Sequence, residues 1–257
     1  MASRIGTLAE SPLHAALKQL CREPGAVYEA QVDGLIVDVV NPGGLVEVQT
    51  GGFTRLRAKL ERLLPAHPLR VVLPIAAEKI LVKVEEGPEG LRELSRRRSP
   101  RRGTLPDAFA ELVSITDWLL HDNLTLEVWL TAEEELRVHR PGRAWRRQGW
   151  TVKERRLREV RAVHTFHGAA DWAAWLPFLP GEPFHSGQLA EVLTAPRHLG
   201  QKACYTLHRA GLLERLGKDG RAWEYALRAE PLASHDQVSR EDTKKSKGDT
   251  KRTTKAS

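Results

Sequence analysis

Hydrophobic and polar residues alternate most regularly from Val32 to Gln49, VDGLIVDVVNPGGLVEVQ. Alternation with period two predicts a half-buried strand, and Asn41-Pro42-Gly43-Gly44 in its middle is turn chemistry, so the stretch reads as a hairpin. Closed symmetrically about those four residues, it opposes Val40 to Leu45, Val39 to Val46 and Asp38 to Glu47. Asp38, Glu47 and Gln49 then share one face. Directly opposed carboxylates about 5 Å apart repel. A divalent cation would offset that repulsion, since two carboxylates on neighbouring strands suit magnesium. The alternative is the wet face of a sheet, neutralised by nearby Lys or Arg. Asp33 falls on the face opposite Glu47 by parity, and a bulge at Gly34 would rearrange the pairing.

Helical spacing flanks the hairpin. Leu13, Ala16, Leu17 and Leu20 recur at i, i+3, i+4 and i+7 and predict a helix over 7–22, with Ser11 as cap, Pro12 in its first turn and Pro24-Gly25 as its stop. Glu10 and His14 flank the buried stripe and can look towards the sheet; Glu10 equally suits the helix dipole as a first-turn acid. A second helix is predicted over 53–64, with apolar positions Phe53, Leu56, Leu60, Leu63 and Leu64. Its basic stripe, Arg55, Lys59 and Arg62, is either a solvated face or a phosphate holder turned towards the carboxylates. Strands over 69–75 and 79–84 follow. Helix, three strands, helix and strand together predict an α/β or α+β fold, a mixed sheet flanked by helices. Farther on, 107–119 reads as an amphipathic helix and 124–130 and 158–166 as strands. Trp145 to Trp150 sets cations between aromatics, which suits stacking on bases, but these Trp residues are read as core.

Composition narrows the class. Of the 257 residues, 41% are hydrophobic and 28% charged, which describes a globular chain long enough for two domains. No apolar run reaches the ~18 residues of a membrane span, and MASRIGTLAESPLH lacks a signal core, so the expectation is a cytoplasmic protein that meets no membrane. Cys21 and Cys204 belong to no CxxC or Cys/His pattern, which leaves zinc and a disulfide framework unsupported. His164 and His167 read as surface histidines. The net charge of +7 leans towards an anionic partner, but residues 231–257 hold seven Lys and Arg against four Asp and Glu and so carry part of it.

These residues resemble a known core. Asp38 on one strand, Glu47-Val48-Gln49 on the next, Glu10 on the preceding helix, then a helix and a further strand are similar to the PD-(D/E)XK, restriction-endonuclease-like nuclease superfamily over residues 7–84. The resemblance implies Mg²⁺ (or Mn²⁺) held by Asp38, Glu47 and the Val48 carbonyl, with Glu10 as an extra acid. It also implies hydrolysis of phosphodiester bonds in DNA, double-stranded by preference. Gln49 stands where the superfamily carries Lys; some of its restriction enzymes also have Gln there. In other members the Lys has moved to a neighbouring element, and Lys59 is the candidate here. Gln cannot accept a proton near neutral pH, though its amide can hold a water. The departure equally fits a fold that binds nucleic acid without cutting it. Arg96, Arg97, Arg98, Arg101 and Arg102 form an expected exposed basic loop, a phosphate clamp or a solvated connector.

The last third reads as a second unit. A short helix over 168–176 and a proline-rich link over 177–183 lead to a helix from Ser186 to Thr194, a turn, and a helix from Arg197 to Ala210. Strands over 212–216 and 222–227 then form a hairpin. This order looks like a winged helix-turn-helix. In that type the second helix reads the major groove, here with His198, Gln201, Lys202, Tyr205 and Arg209, while Lys218 and Arg221 at the ribbon tip touch the backbone. A winged helix used for protein contacts is the alternative. The expected division is a nuclease-like domain over 1–166, a winged-helix domain over 167–230 and a disordered basic tail over 231–257. DNA is the expected partner, and a homodimer remains open.

Overall fold

A computed structural model describes residues 10–230; residues 1–9 and 231–257, the basic tail among them, lie outside the described part. Helix α1 spans Pro12–Leu20, and its cap Ser11 accepts from the His14 N–H at 3.3 Å. Its buried stripe is Leu13, Leu17 and Cys21, whereas Leu20 is 57% exposed. The helix stops at Leu20, and the Cys21 carbonyl is drawn inward by Asn41 Nδ2 at 3.0 Å and an Arg70 NH2 at 3.1 Å.

Strands β1 (Val27–Val32) and β2 (Leu35–Asn41) join through Asp33-Gly34. Both turn residues have positive φ, +48° and +79°, the two-residue turn that matches strand twist, so Gly34 turns the chain where a bulge had been considered. Strand β3 (Gly44–Val48) closes the second hairpin in the expected register, Val39 opposite Val46 and Val40 opposite Leu45. Helix α2 (Leu56–Leu63) follows a 3₁₀ turn at Phe53–Arg55, and Phe53, Leu56, Leu60, Leu63 and Leu64 are all buried as their spacing predicts.

The expected strands over 69–75 and 79–84 are one strand, β4 (Leu69–Gly87). Pro74 is tolerated because one edge of β4 carries no strand at that point. β4 turns back into β5 (Gly90–Arg98), so much of the expected basic loop is an exposed strand. The predicted helix over 107–119 breaks into a 3₁₀ turn at Leu105–Ala108, the single turn α3 (Phe109–Leu112) and a second 3₁₀ turn at Thr116–Trp118. Ser114 Oγ bonds back to the Glu111 carbonyl at 2.7 Å, the local competition by which hydroxyls interrupt a helix. Strands β6 (Leu124–His139) and β7 (Trp150–His167) run far beyond their predicted lengths. The mixed sheet has the order β1-β2-β3-β4-β6-β7; β3 and β4 are parallel, as are β4 and β6, and β5 is added to β4. Helix α1 covers Val39, Val46, Val48 and Val72 on one face, while α2 and α3 share the larger apolar cluster.

That larger cluster continues without a break into residues 167–230. Trp172 of α4 (Gly168–Trp175) stacks on Phe166 with centroids 4.0 Å apart. Beyond it, β8 (Phe184–His185), α5 (Ser186–Val192), α6 (Arg197–Arg209), β9 (Leu213–Asp219) and β10 (Ala222–Leu227) form two helices on a three-stranded sheet of order β8-β10-β9. His185, not Ser186, caps α5: its Nδ1 accepts from the Gly187 and Gln188 amides, both at 3.1 Å. The two helices cross so closely that a Cβ on Gly200 would lie 2.3 Å from the Ser186 carbonyl oxygen and 2.7 Å from Ala190 Cβ. Among the described residues, no helix is long and apolar enough to cross a membrane. Both cysteines are free, and burial pushes each thiol up to about 12.

Overpacking a tight contact costs about 1–3 kcal/mol, so Gly200→Ala lowers the thermal unfolding midpoint. An unchanged midpoint in a melting experiment would contradict the α5–α6 approach described above.

Candidate carboxylate site and its neighbouring clefts

The β2–β3 hairpin brings Asp38 and Glu47 to one cleft of about 560 Å³, opening between α1, α2 and the Thr50–Gly52 segment. Asp38 Oδ2 accepts from the Val48 N–H at 2.8 Å. Glu47 is only 1% exposed. Its Oε1 accepts from Lys59 Nζ of α2 at 2.5 Å, and its Oε2 lies 3.5 Å from the Gln49 amide nitrogen. The spacing of the hairpin and of α2 therefore assembles Asp38, Glu47, Gln49 and Lys59 in one place.

Helix α1 adds His14. Its Nε2 donates to Asp38 Oδ2 at 3.2 Å and to the Val48 carbonyl at 3.0 Å, and its Nδ1 faces Glu10 Oε1 at 2.6 Å. Acceptors at both ring nitrogens require the doubly protonated imidazolium. Lys18 ties the outer end of this chain, 2.9 Å from Glu10 and 3.0 Å from Glu29. The sequence suggested that Glu10 and His14 face the sheet; it gave no sign of Lys18 and Glu29, whose pairing depends on a positive-φ kink at Glu29. Asp33, the rival carboxylate, lies elsewhere, 2.9 Å from His67.

Electrostatics follow from this packing. Burial would lower the His14 pKa, but hydrogen bonds and charge from Asp38 and Glu10 outweigh it and raise it to about 9. Burial would raise Asp38, yet His14, the Val48 amide and the Lys59 charge hold it below its ordinary value. Glu47 goes the other way: burial, then the Asp38 charge, raise it to about 7 against the pull of Lys59 and the Asp38 backbone amide. The short contact with Lys59 and this upward shift pull against each other; the shift in direction reflects a carboxylate almost out of reach of water.

Asp38 Oδ2 and the Val48 carbonyl converge on one point, now filled by His14 Nε2, with the Glu47 carboxylate beside them. Two carboxylates and a carbonyl are the hard oxygen donors that magnesium or manganese takes, so the donor set fits such an ion if the imidazole moves aside. Among the described residues, no group of three or more His, Cys, Asp or Glu side chains is arranged to hold a metal ion.

The remaining candidates scatter. Arg55 lines the carboxylate cleft. Arg101 lines a second cleft, which shares Gln49–Gly52 with the first. Arg96 is tied to Glu93 at 2.9 Å and Glu134 at 2.5 Å, and Arg98 lies 3.7 Å from Glu78, so these two are not brought to the carboxylates. Arg97 and Arg102 are exposed. On α6, Lys202 Nζ donates to the Ala110 carbonyl at 3.2 Å and Arg209 lies 3.9 Å from Asp117, so both lean on the first 167 residues. His198, Gln201 and Tyr205 remain exposed, as do Lys218 and Arg221 on the ribbon. Trp150 stands against His139 and beneath Lys83, but Trp145, read as core, is 80% exposed.

The family model described as "Domain of unknown function (DUF8091)" matches residues 11–167, which hold the whole carboxylate site except Glu10. A protein of Treponema pallidum (strain Nichols), described as uncharacterized, is 33% identical over 229 residues, 88% of each chain. No solved structure matches the chain.

The His14 shift has a defined sign. Its stabilising contribution is complete below the ordinary value of 6.5 and is lost as pH rises through about 9. The gap in melting temperature between the wild type and His14→Gln is therefore widest in mild acid and narrows in alkali. A gap independent of pH would contradict the imidazolium.

Proposed function

The chain belongs to the family described as "Domain of unknown function (DUF8091)", and we propose that it is a metal-dependent nuclease that hydrolyses phosphodiester bonds in DNA. The observation that carries this reading is that Asp38, Glu47, Val48 and Lys59 line one cleft, with Asp38 and the Val48 carbonyl meeting at one point. The order α1, β1–β3, α2, β4, with β3 parallel to β4, supports a restriction-endonuclease-like core. Magnesium or manganese held by Asp38, Glu47 and Val48 O would lower the pKa of a bound water and polarise the phosphodiester.

The side chains then divide the work. Lys59, on the rim of the cleft and already at Glu47, is placed to donate to a phosphate oxygen as negative charge builds there. Gln49 holds and orients a water through its amide, without taking its proton. His14, with Glu10 behind it, holds the Asp38 pKa down and bonds to the Asp38 and Val48 oxygens that would hold the ion. In the reaction a water oxygen forms the new bond to phosphorus and releases a proton to bulk water, while the bond to the leaving oxygen breaks and that oxygen takes a proton from bulk water. The β8-α5-α6-β9-β10 unit is read as a winged helix. With Lys202 and Arg209 engaged by Ala110 and Asp117, the exposed groups left to meet DNA are His198, Gln201, Tyr205, Lys218, which lies over Trp223, and Arg221.

A second reading rests on its own observation. His14 and Lys59 already neutralise both carboxylates, and Gln49 replaces the usual Lys, which suits a nuclease fold that binds nucleic acid and does not cut it.

Nicking and cutting of plasmid and linear DNA with Mg²⁺ or Mn²⁺ separates the two. Glu47→Gln and Lys59→Ala each lower the rate by roughly 100-fold or more. Equal activity in wild type and variants would place the chemistry elsewhere. Absence of cutting together with retained gel-shift binding would favour the second reading.

A further inference from the structure

The edge of β4 that faces β3 is not fully paired. β3 covers it up to Val72 and β5 from Ile80, leaving the stretch between without a strand. The segment 99–103 crosses only its far part, with the Ser99 and Gly103 amides donating to the Lys79 and Ala76 carbonyls. What remains is a trough of about 440 Å³ that shares the Gln49–Gly52 wall with the carboxylate cleft. A channel where one β-strand is missing is one polymer chain wide.

Its lining is basic. Lys79, Arg101, Arg137, Arg147 and Arg155 meet it against three carboxylates, Asp107, Glu111 and Glu135. Glu135 lies between Lys79 at 3.2 Å and Arg137 at 2.5 Å, and Arg101 lies 3.5 Å from Asp107. Arg155 is held by the Thr50 carbonyl at 2.7 Å, on the wall shared with the carboxylate site, and lies 3.9 Å from Glu133. Arg147 has no carboxylate partner among the described residues. In the same 3₁₀ turn, Trp145–Arg147, the indole of Trp145 stands 80% exposed with the Arg146 guanidinium 5.1 Å from its ring. An exposed indole flanked by cations is a platform for an unpaired base, whose faces a duplex would hide.

We propose that this trough receives one unpaired strand of nucleic acid, its phosphates passing Arg155 and Arg147 next to the carboxylate site and one base stacking on Trp145. The proposal deepens the nuclease reading of the Asp38–Glu47 site and rests on it for the identity of the polymer. It moves the phosphate clamp from the strand-borne Arg96 and Arg98 to the trough, where Arg147 is the cation without a carboxylate partner among the described residues.

The test is fluorescence anisotropy with a labelled single-stranded oligonucleotide, as DNA and as RNA, and with the matching blunt duplex, all in EDTA. Trp145→Ala and Arg147→Glu are surface changes, and circular dichroism confirms their fold. The single strand binds wild type more tightly than the duplex; Trp145→Ala weakens it roughly 5- to 100-fold, and Arg147→Glu weakens it and flattens its salt dependence. Either sugar supports the proposal so long as the loss at Trp145 accompanies it. Wild-type affinity for the single strand in both variants, or a duplex preference in the wild type, overturns it. Metal-dependent cutting that survives such a result leaves the nuclease reading standing. Strand binding that depends on Trp145 without any cutting supports the trough and removes the nuclease.

Discussion

Two carboxylates brought together by a tight hairpin, one of them almost wholly out of water, cannot both carry charge unless cations come with them. That constraint organises the first 167 residues. α1 delivers His14 to Asp38, α2 delivers Lys59 to Glu47, and each helix is held where it can do so by an apolar stripe buried on its own part of the sheet. Leu13, Leu17 and Cys21 seat α1; Phe53, Leu56 and Leu60 seat α2. Removing either cation would leave an uncompensated buried charge, which is far costlier than losing a surface ion pair. The Glu10–Lys18–Glu29 chain behind His14 extends the same compensation outward to solvent.

Much of this was legible from residue order. The hairpin register follows from Asn41-Pro42-Gly43-Gly44 and the alternation on either side, and it sets Asp38, Glu47 and Gln49 on one face. The spacing of α2 gives both its buried face and the emergence of Lys59 from it. Less could be read where local pattern competes with distant pairing. Pro74 looks like a strand end, but β6 pairs with β4 on its other side and carries it through. The spacing over 107–119 is helical, yet the Thr104–Asp107 cap and the Ser114 back-bond divide it. Trp145 looks like core by residue type; its exposure depends on the positive-φ turn at Ala144 and Gln148 in the β6–β7 loop, which hydrophobicity does not report.

The same long strands that escaped prediction shape what surrounds the carboxylates. Because β4, β6 and β7 continue well beyond the small-domain core, they carry Lys79, Glu135, Arg137 and Arg155 alongside the hairpin, and the two clefts become neighbours. The helical unit at the other side is not loosely tethered: Trp172 and Phe166 stack, and α6 leans on Ala110 and Asp117. An α6 committed in this way presents to a partner only the Gln201 and Tyr205 side of its surface. In the proposed function, DNA held by that side and a strand lying in the trough would meet parts joined by one continuous apolar cluster.

Under the proposed function, His14 and Lys59 stand where a hard cation would sit at Asp38 and Glu47. Crystals grown with Mn²⁺ and measured for anomalous scattering address it most directly. The expected result is a manganese peak between the Asp38 and Glu47 carboxylates and the Val48 carbonyl, with the His14 ring turned away from that point. An imidazole still bonded to Asp38 and Val48 at saturating Mn²⁺, with no peak between the carboxylates, would contradict it.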